Sequence, residues 1–216
     1  MGKLELNQGA VRGVAWSPDS RLLAVAPNNQ VQVWEMATMK RLTTLQGHLY
    51  RINGMAWSPG GRLLASVSDD GTLRLWDSTT WKSHAILQGH AAGVLLSVAW
   101  SPDSRRLVAG NRDGTVQVWD PLTGRTKLTY RGHSAGAWAV SWSPDSRYLA
   151  SVSQDQTVQV WDALTGKLLL TYRGHAEVWA VSWSPDGKHI ASAGDGSVVH
   201  LWNAATGKQI WLLDLE

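Results

Sequence analysis

The chain has 216 residues, none of them cysteine or phenylalanine. Without cysteine there is neither a disulfide framework nor a thiolate metal site, and a reducing, cytoplasmic setting is the expectation. Long apolar runs are missing too. No stretch approaches the roughly 18 apolar residues a membrane helix needs, and the opening MGKLELNQGAVRGVAWSPDSRLLAVAPNNQ lacks a continuous apolar signal region. A soluble chain without a membrane partner is therefore expected. Charge of one sign is scarce: 20 Lys and Arg stand against 17 Asp and Glu, so nothing in the balance demands nucleic acid. What the chain does have is apolar content. At 44% hydrophobic and 17% charged it is too apolar to be disordered and long enough to bury a sizeable core.

The most informative feature is a repeat. Segments RGVAWSPDSR, NGMAWSPGGR, LSVAWSPDSR, WAVSWSPDSR and WAVSWSPDGK place tryptophans at 16, 57, 100, 142 and 183. A second series, Trp34, Trp76, Trp119, Trp161 and Trp202, keeps the same step of about 42, and so do Gly-His pairs at 47-48, 89-90, 132-133 and 174-175. Three landmarks on one period mean a repeat architecture, in which each unit buries its apolar face only against its neighbours.

Within a unit the short-range pattern is strand and turn. GRLLASVS is partly alternating, DDGT is a turn, and TLRLWD alternates again; Ser-Pro-Asp and Thr-Gly-Lys/Arg punctuate the other junctions. No window of 11 residues carries a helical period. Four short strands per unit, joined by tight turns, make the chain all-β.

The order Gly-His, VSWSPD, LASVS, DxTVQVWD and a last strand resembles the WD-repeat β-propeller family over roughly residues 3 to 214. Literal Trp-Asp stands at 76-77, 119-120 and 161-162, with Trp34-Glu35 and Trp202-Asn203 in the first and last units. The resemblance implies one propeller domain over 1–216, with five four-stranded antiparallel blades at about 10–46, 52–88, 94–131, 137–173 and 178–214. It also implies that KLELN at 3–7 is a leading strand of the outermost type, which together with 208–216 either closes the ring or pairs with another chain.

The same resemblance implies a buried hydrogen-bond set of histidine, serine, aspartate and tryptophan in each blade. His48, Ser66, Asp70 and Trp76 make a full set, as do His133, Ser151, Asp155 and Trp161. The third unit keeps His90, Asp113 and Trp119 with Ala109 at the serine position. The fifth keeps His175, Ser192 and Trp202 with Gly196 at the aspartate position. The first has none, with Gln8 and Asn28 at two of the places. The middle blades should therefore be better locked than the first.

Candidate chemistry dissolves on this register. Gly132-His133-Ser134-Ala135-Gly136 matches a nucleophile elbow, but an elbow needs a following helix, and the equivalent positions hold Leu49, Ala91 and Ala176. The Gly-His histidines belong to different blades and do not converge on a metal; His84, His189 and His200 read as isolated surface or strand residues. Thr-Gly-Lys at 165–167 and 206–208 lacks the earlier glycine of a phosphate loop. No catalytic residue, metal or cofactor is expected, and the chain is not read as an enzyme.

Of 14 tryptophans, ten are locked to the repeat and expected between blades. Trp81, Trp138, Trp179 and Trp211 are not. Trp138 and Trp179 share a slot that holds Arg12, Asn53 and Leu96 in the other units. In the family this slot lies near the top rim of the channel, which with its neighbours implies a partner-binding surface of Arg12, Arg51, Asn53, Asp69, Leu96, Arg112, Trp138, Gln154, Glu177, Trp179 and Asp195. Aromatic and Arg anchors amid polar residues suit a protein or peptide partner. Two alternatives stand beside this scaffold reading: an anionic-polymer binder using Arg12, Arg51 and Arg112, and a regulatory or sensor piece of a larger protein. Self-association through the terminal strands is a further expectation.

Overall fold

The computed structural model describes residues 10–88, 93–196 and 198–214. The leading strand expected at 3–7, with Gln8, lies outside the described residues, as do His90 and Ala91. Every regular element among the described residues is a strand. The first sheet holds β1 (Val11–Trp16), β2 (Leu22–Pro27), β3 (Val31–Glu35) and β4 (Lys40–Leu45). The second holds β5 (Ile52–Trp57), β6 (Leu63–Ser68), β7 (Thr72–Asp77) and β8 (Ser83–Gln88). The third holds β9 (Leu95–Trp100), β10 (Leu107–Asn111), β11 (Val116–Trp119) and β12 (Thr126–Tyr130). The fourth holds β13 (Ala137–Trp142), β14 (Tyr148–Ser153), β15 (Thr157–Asp162) and β16 (Leu168–Arg173). The fifth holds β17 (Val178–Trp183), β18 (His189–Gly194), β19 (Val198–Asn203) and β20 (Gln209–Asp214).

Each sheet is a four-stranded antiparallel meander in chain order, so the fold is all-β with one four-stranded blade per repeat. The strands of a blade are called a to d in that order. The chain divides into two compact units, Met1–Leu95 with the first two blades and Leu96–Glu216 with the other three.

Burial explains why the b strands alternate so weakly in sequence. Every residue of Leu63–Ser68 is buried, because small and branched side chains are covered on both faces of the sheet. The d strands are the opposite case: Lys40–Leu45 is exposed at its start and buried only at Leu45. At the a–b corner the Ser17 hydroxyl donates to Asp19 (2.6 Å) and accepts from the Leu22 N–H (2.9 Å), which fixes the turn. The last residue of that corner is left-handed in all five copies, Ser20, Gly61, Ser104, Ser146 and Gly187, with φ between 60° and 73°. That requirement is why serine and glycine interchange there.

Blades pack through the tryptophan that ends strand a. In the first unit Trp57 donates its indole N–H to the Ala15 carbonyl (3.2 Å) and joins a core with Ala24, Ala26, Val31, Leu45 and Trp76. In the second, the Trp142 indole N–H donates to the Ala99 carbonyl (3.3 Å), whereas Trp183 donates its backbone N–H to the Ser141 hydroxyl (3.3 Å) and its indole N–H is buried without an acceptor. The d strand also contributes to the next blade: Tyr130 stacks on Trp161 at 4.4 Å, and Tyr172 on Trp202 at 5.4 Å. Burial pushes the Tyr130 hydroxyl up to about 12, and it donates to Gln159 Oε1 at 2.6 Å.

Candidate functional site

The buried polar sets come first because they imitate an active site. In blade two, His48 lies with Nδ1 2.9 Å from Asp70 and Nε2 2.8 Å from the Ser66 hydroxyl, which accepts the Trp76 indole N–H at 2.9 Å. Blade four repeats this with His133, Asp155, Ser151 and Trp161 at 2.9, 2.8 and 3.1 Å. Serine to histidine to aspartate is the hydrogen-bond order of a catalytic triad. Access is what it lacks: Ser66 and Ser151 are fully buried, and each oxygen is already occupied by an indole.

The aspartate works as a clamp on the turn. Burial alone would raise the Asp155 carboxyl, but the Thr157 hydroxyl, His133 and the Ser134 N–H hold it below its ordinary range; for Asp70 the Thr72 hydroxyl and the Leu49 N–H do so together with His48. The histidines move the other way: burial keeps both His48 and His133 below their usual value in spite of the carboxylate. Ser134, exposed and followed by strand β13, contributes only its backbone N–H (3.0 Å to Asp155).

Other blades depart from this set. In blade three Asp113 binds the Thr115 N–H and hydroxyl (2.8 and 2.6 Å), and Ala109 is buried at the serine position. In blade one Val25 stands opposite Val14 where Ser66 stands opposite Met55, and the Trp34 indole N–H is buried without an acceptor. In blade five His175 bonds Ser192 (2.8 Å), but its Nδ1 is buried and unpaired. His200 is not the isolated residue its sequence suggested. It is buried at 4.1 Å from the His175 ring, with Nδ1 2.6 Å from the Tyr172 hydroxyl. It occupies the place of Gln159 in blade four and so points into the interior. Burial and then the neighbouring His200 push His175 down to about 4.

The slot shared by Trp138 and Trp179 has a structural cause. The register between strands a and b slips by one residue at the start of strand a, between Val11 and Gly13, Ile52 and Gly54, Ala137 and Ala139, and Val178 and Ala180. The residue left over is Arg12, Asn53, Trp138 or Trp179. A β-bulge residue opposes no single partner, so the ladder does not constrain its side chain. That is why it varies while the framework repeats. The b–c turn is clasped to the residue just before strand a: Asp69 N–H to the Arg51 carbonyl, Gln154 to Gly136, Asp195 to Glu177, at 2.9 to 3.0 Å.

Each unit then dresses this clasp differently. In the first, Asn53 donates to Asp69 (2.7 Å) and to the Leu95 carbonyl (2.8 Å), and Arg51 pairs with Asp69 at 3.0 Å; Arg12 is exposed. In the second, Trp138 and Trp179 lie 5.2 Å apart with rings tilted by 56°, and the Trp179 indole N–H donates to Asp195 at 2.7 Å. Trp179 is 42% exposed, whereas Trp138 is half-buried with its N–H unpaired. Glu177 and Gln154 take part through their backbones in the clasps just described; Gly136 lies against the Arg112 backbone; Leu96 is half-buried. Gly194 cannot carry a side chain here, because a Cβ would fall 1.7 Å from the Glu177 carbonyl oxygen.

The family model for the WD domain, G-beta repeat (WD40) matches residues 2–35, 39–77, 81–120, 124–162 and 166–203. The chain belongs to the WD40 family. A search of curated proteins finds no match to it. The WD40 matches are staggered against the blades: 124–162 runs from β12 of blade three through β15 of blade four. A WD40 sequence repeat therefore contains the two residues that stack across a blade boundary, Tyr130 and Trp161, and the unit of sequence is the unit of packing. Two WD40 blade pairs also leave clefts at the far end of strand a, about 540 Å³ beside Tyr148 and Trp183 and about 440 Å³ beside Leu22 and Trp57. Their recurrence beside equivalent Ser-Pro corners makes them a property of the repeat rather than a specialised site.

Proposed function

We propose that the chain is a cytoplasmic, non-enzymatic scaffold, one propeller domain over 1–216, whose bulge-slot surface in the second unit binds a protein or peptide. WD40 repeats generally mediate such scaffolding. The observation that carries the reading is the Trp138–Trp179 pair, two large rings in contact on bulge residues, one fixed by Asp195 and still 42% exposed. An exposed, pre-oriented indole offers contact area at little further cost in side-chain entropy. The anionic-polymer alternative is disfavoured: Arg51 is already paired with Asp69, and the carboxylate of Asp195 is bonded to Trp179.

The test is a peptide-display selection against the whole chain, followed by binding of the enriched peptides to Trp179→Ala and Trp138→Ala. At least tenfold weaker binding to Trp179→Ala is expected, with little dependence on salt. Binding to both variants as tight as to the wild type overturns the site, and a steep loss of affinity with salt would favour the arginine reading.

A further inference from the structure

The b–c turn carries an aspartate at one and the same position in blades two and five, and the two carboxylates are answered differently. By register Asp69 of blade two corresponds to Asp195 of blade five, Arg51 to Glu177, and the bulge residue Asn53 to Trp179. In blade two both carboxylate oxygens are met from within the chain. Arg51 Nη2 lies 3.0 Å from Asp69 Oδ2, and the Asn53 amide donates to Oδ1 at 2.7 Å. In blade five the Trp179 indole N–H takes the role of that amide, donating to Asp195 Oδ1 at 2.7 Å. The guanidinium has no counterpart from its own position, because Glu177 stands where Arg51 stands in blade two.

What remains open on Trp179 is the face of a ring. Its N–H is spent on Asp195, and the ring is fixed by that bond and by contact with Trp138 at 5.2 Å, yet it stays 42% exposed. Such a ring offers a partner its electron-rich face rather than a donor, and a cation is what that face attracts. The same unit uses this contact twice: the Arg106 guanidinium lies 4.9 Å over the Trp142 ring and that of Arg147 5.0 Å over Tyr148. Asp195 is itself exposed, so a carboxylate and an aromatic face meet at one surface point.

We propose that this point selects an arginine side chain of the partner peptide, an inference that rests on reading the Trp138–Trp179 surface as the binding site. The incoming guanidinium takes the place against Asp195 that Arg51 has against Asp69, and lies over the exposed face of Trp179. A guanidinium can do both at once, because its plane stacks while its N–H edge donates to the carboxylate; a lysine ammonium is a compact, strongly hydrated point charge. A single exposed pair is worth little by Coulomb attraction alone, so stacking supplies most of the affinity and the dependence on salt stays shallow.

The test follows the indole N–H signals of the whole chain by nitrogen-15 NMR during titration with N-acetyl-arginine amide, N-acetyl-lysine amide and N-acetyl-citrulline amide. Citrulline keeps the shape of the guanidinium without its charge. The Trp179 signal, assigned by its loss in Trp179→Phe, should move saturably with the arginine probe and respond at least about tenfold more weakly to citrulline. Asp195→Asn keeps an oxygen for the indole N–H but loses the charge, and it should abolish most of that preference; its spectrum without probe checks that it folds. No movement with the arginine probe, an equal response to citrulline, a stronger response to lysine, or an undiminished preference in Asp195→Asn each overturns the inference. The binding surface is judged apart from it: selected peptides that weaken in Trp179→Ala but not in Asp195→Asn would leave the surface standing and the guanidinium refuted.

Discussion

Blades four and five sit side by side in one unit, share the WAVSWSPD segment, and differ in how their histidine is held. In blade four His133 is anchored at both ring nitrogens, by Ser151 and Asp155. In blade five the serine and tryptophan remain, but Gly196 replaces the aspartate and Val198 the threonine, and the free side of the ring faces another histidine. Both blades are nonetheless complete four-stranded sheets. The apolar contacts around Trp161 and Trp202 thus build the blade, and the polar set adds a lock that one blade does without.

The largest effect expected comes from removing what the two blades share. Trp161→Ala deletes a fully buried side chain stacked on Tyr130 and should cost about 3–5 kcal/mol in urea unfolding. Trp202→Ala should cost a comparable amount. If Trp161→Ala cost less than the loss of the polar lock, the order of importance argued above would be reversed.

Next in size is converting one blade into the other. Asp155→Gly gives blade four the blade-five residue and leaves His133 Nδ1, the Ser134 N–H and the Thr157 hydroxyl without their acceptor. A loss of about 1–3 kcal/mol is expected, from the desolvation of groups left unpaired. Hydrogen exchange should show the opening confined to the loop at Ser134 and the b–c turn.

Acid should separate the blades as well. His175 titrates near 4 when folded against an ordinary 6.5, so between those values the unfolded chain takes up a proton that the folded chain refuses. Stability from this site is complete above about pH 6.5 and is lost as pH falls to about 4. His200→Gln, the residue blade four has, removes the nearby ring that helps depress His175, so its melting temperature should fall less between pH 7 and pH 4.5. Part of the acid loss will persist, since His48 and His133 are shifted in the same direction. An unchanged acid profile in His200→Gln would show that burial alone sets the His175 shift.

Sequence spacing carried the blade count, the strand order and the membership of the two full polar sets, because each rests on residues that recur at one register. It did not carry the bulge. Nothing in RGVAW or WAVSW marks one residue as extra, since a bulge is a property of the pairing between two strands. Nor did it carry the His175–His200 contact, because His200 departs from Gln159 at one position and its meaning depends on a partner 25 residues away. Trp16 carries the register of an inter-blade tryptophan, yet it is 53% exposed.

The smallest effect concerns the b–c turn, and it runs in the stabilising direction. Gln156 sits at φ 68°, where blades two and three place Gly71 at 76° and Gly114 at 87°. A side chain in the left-handed region costs roughly 1–2 kcal/mol, and glycine gives back part of that gain through the greater freedom of its unfolded chain. Gln156→Gly should therefore raise stability by about 0.5–1 kcal/mol, read as a small increase in melting temperature with no change in urea m-value. Made in the Asp155→Gly background, the same change should gain less. A turn no longer clamped by the carboxylate can relax away from the left-handed geometry, so the strain that glycine relieves is smaller there. Equal gains in both backgrounds would mean that the backbone holds this turn without help from the lock.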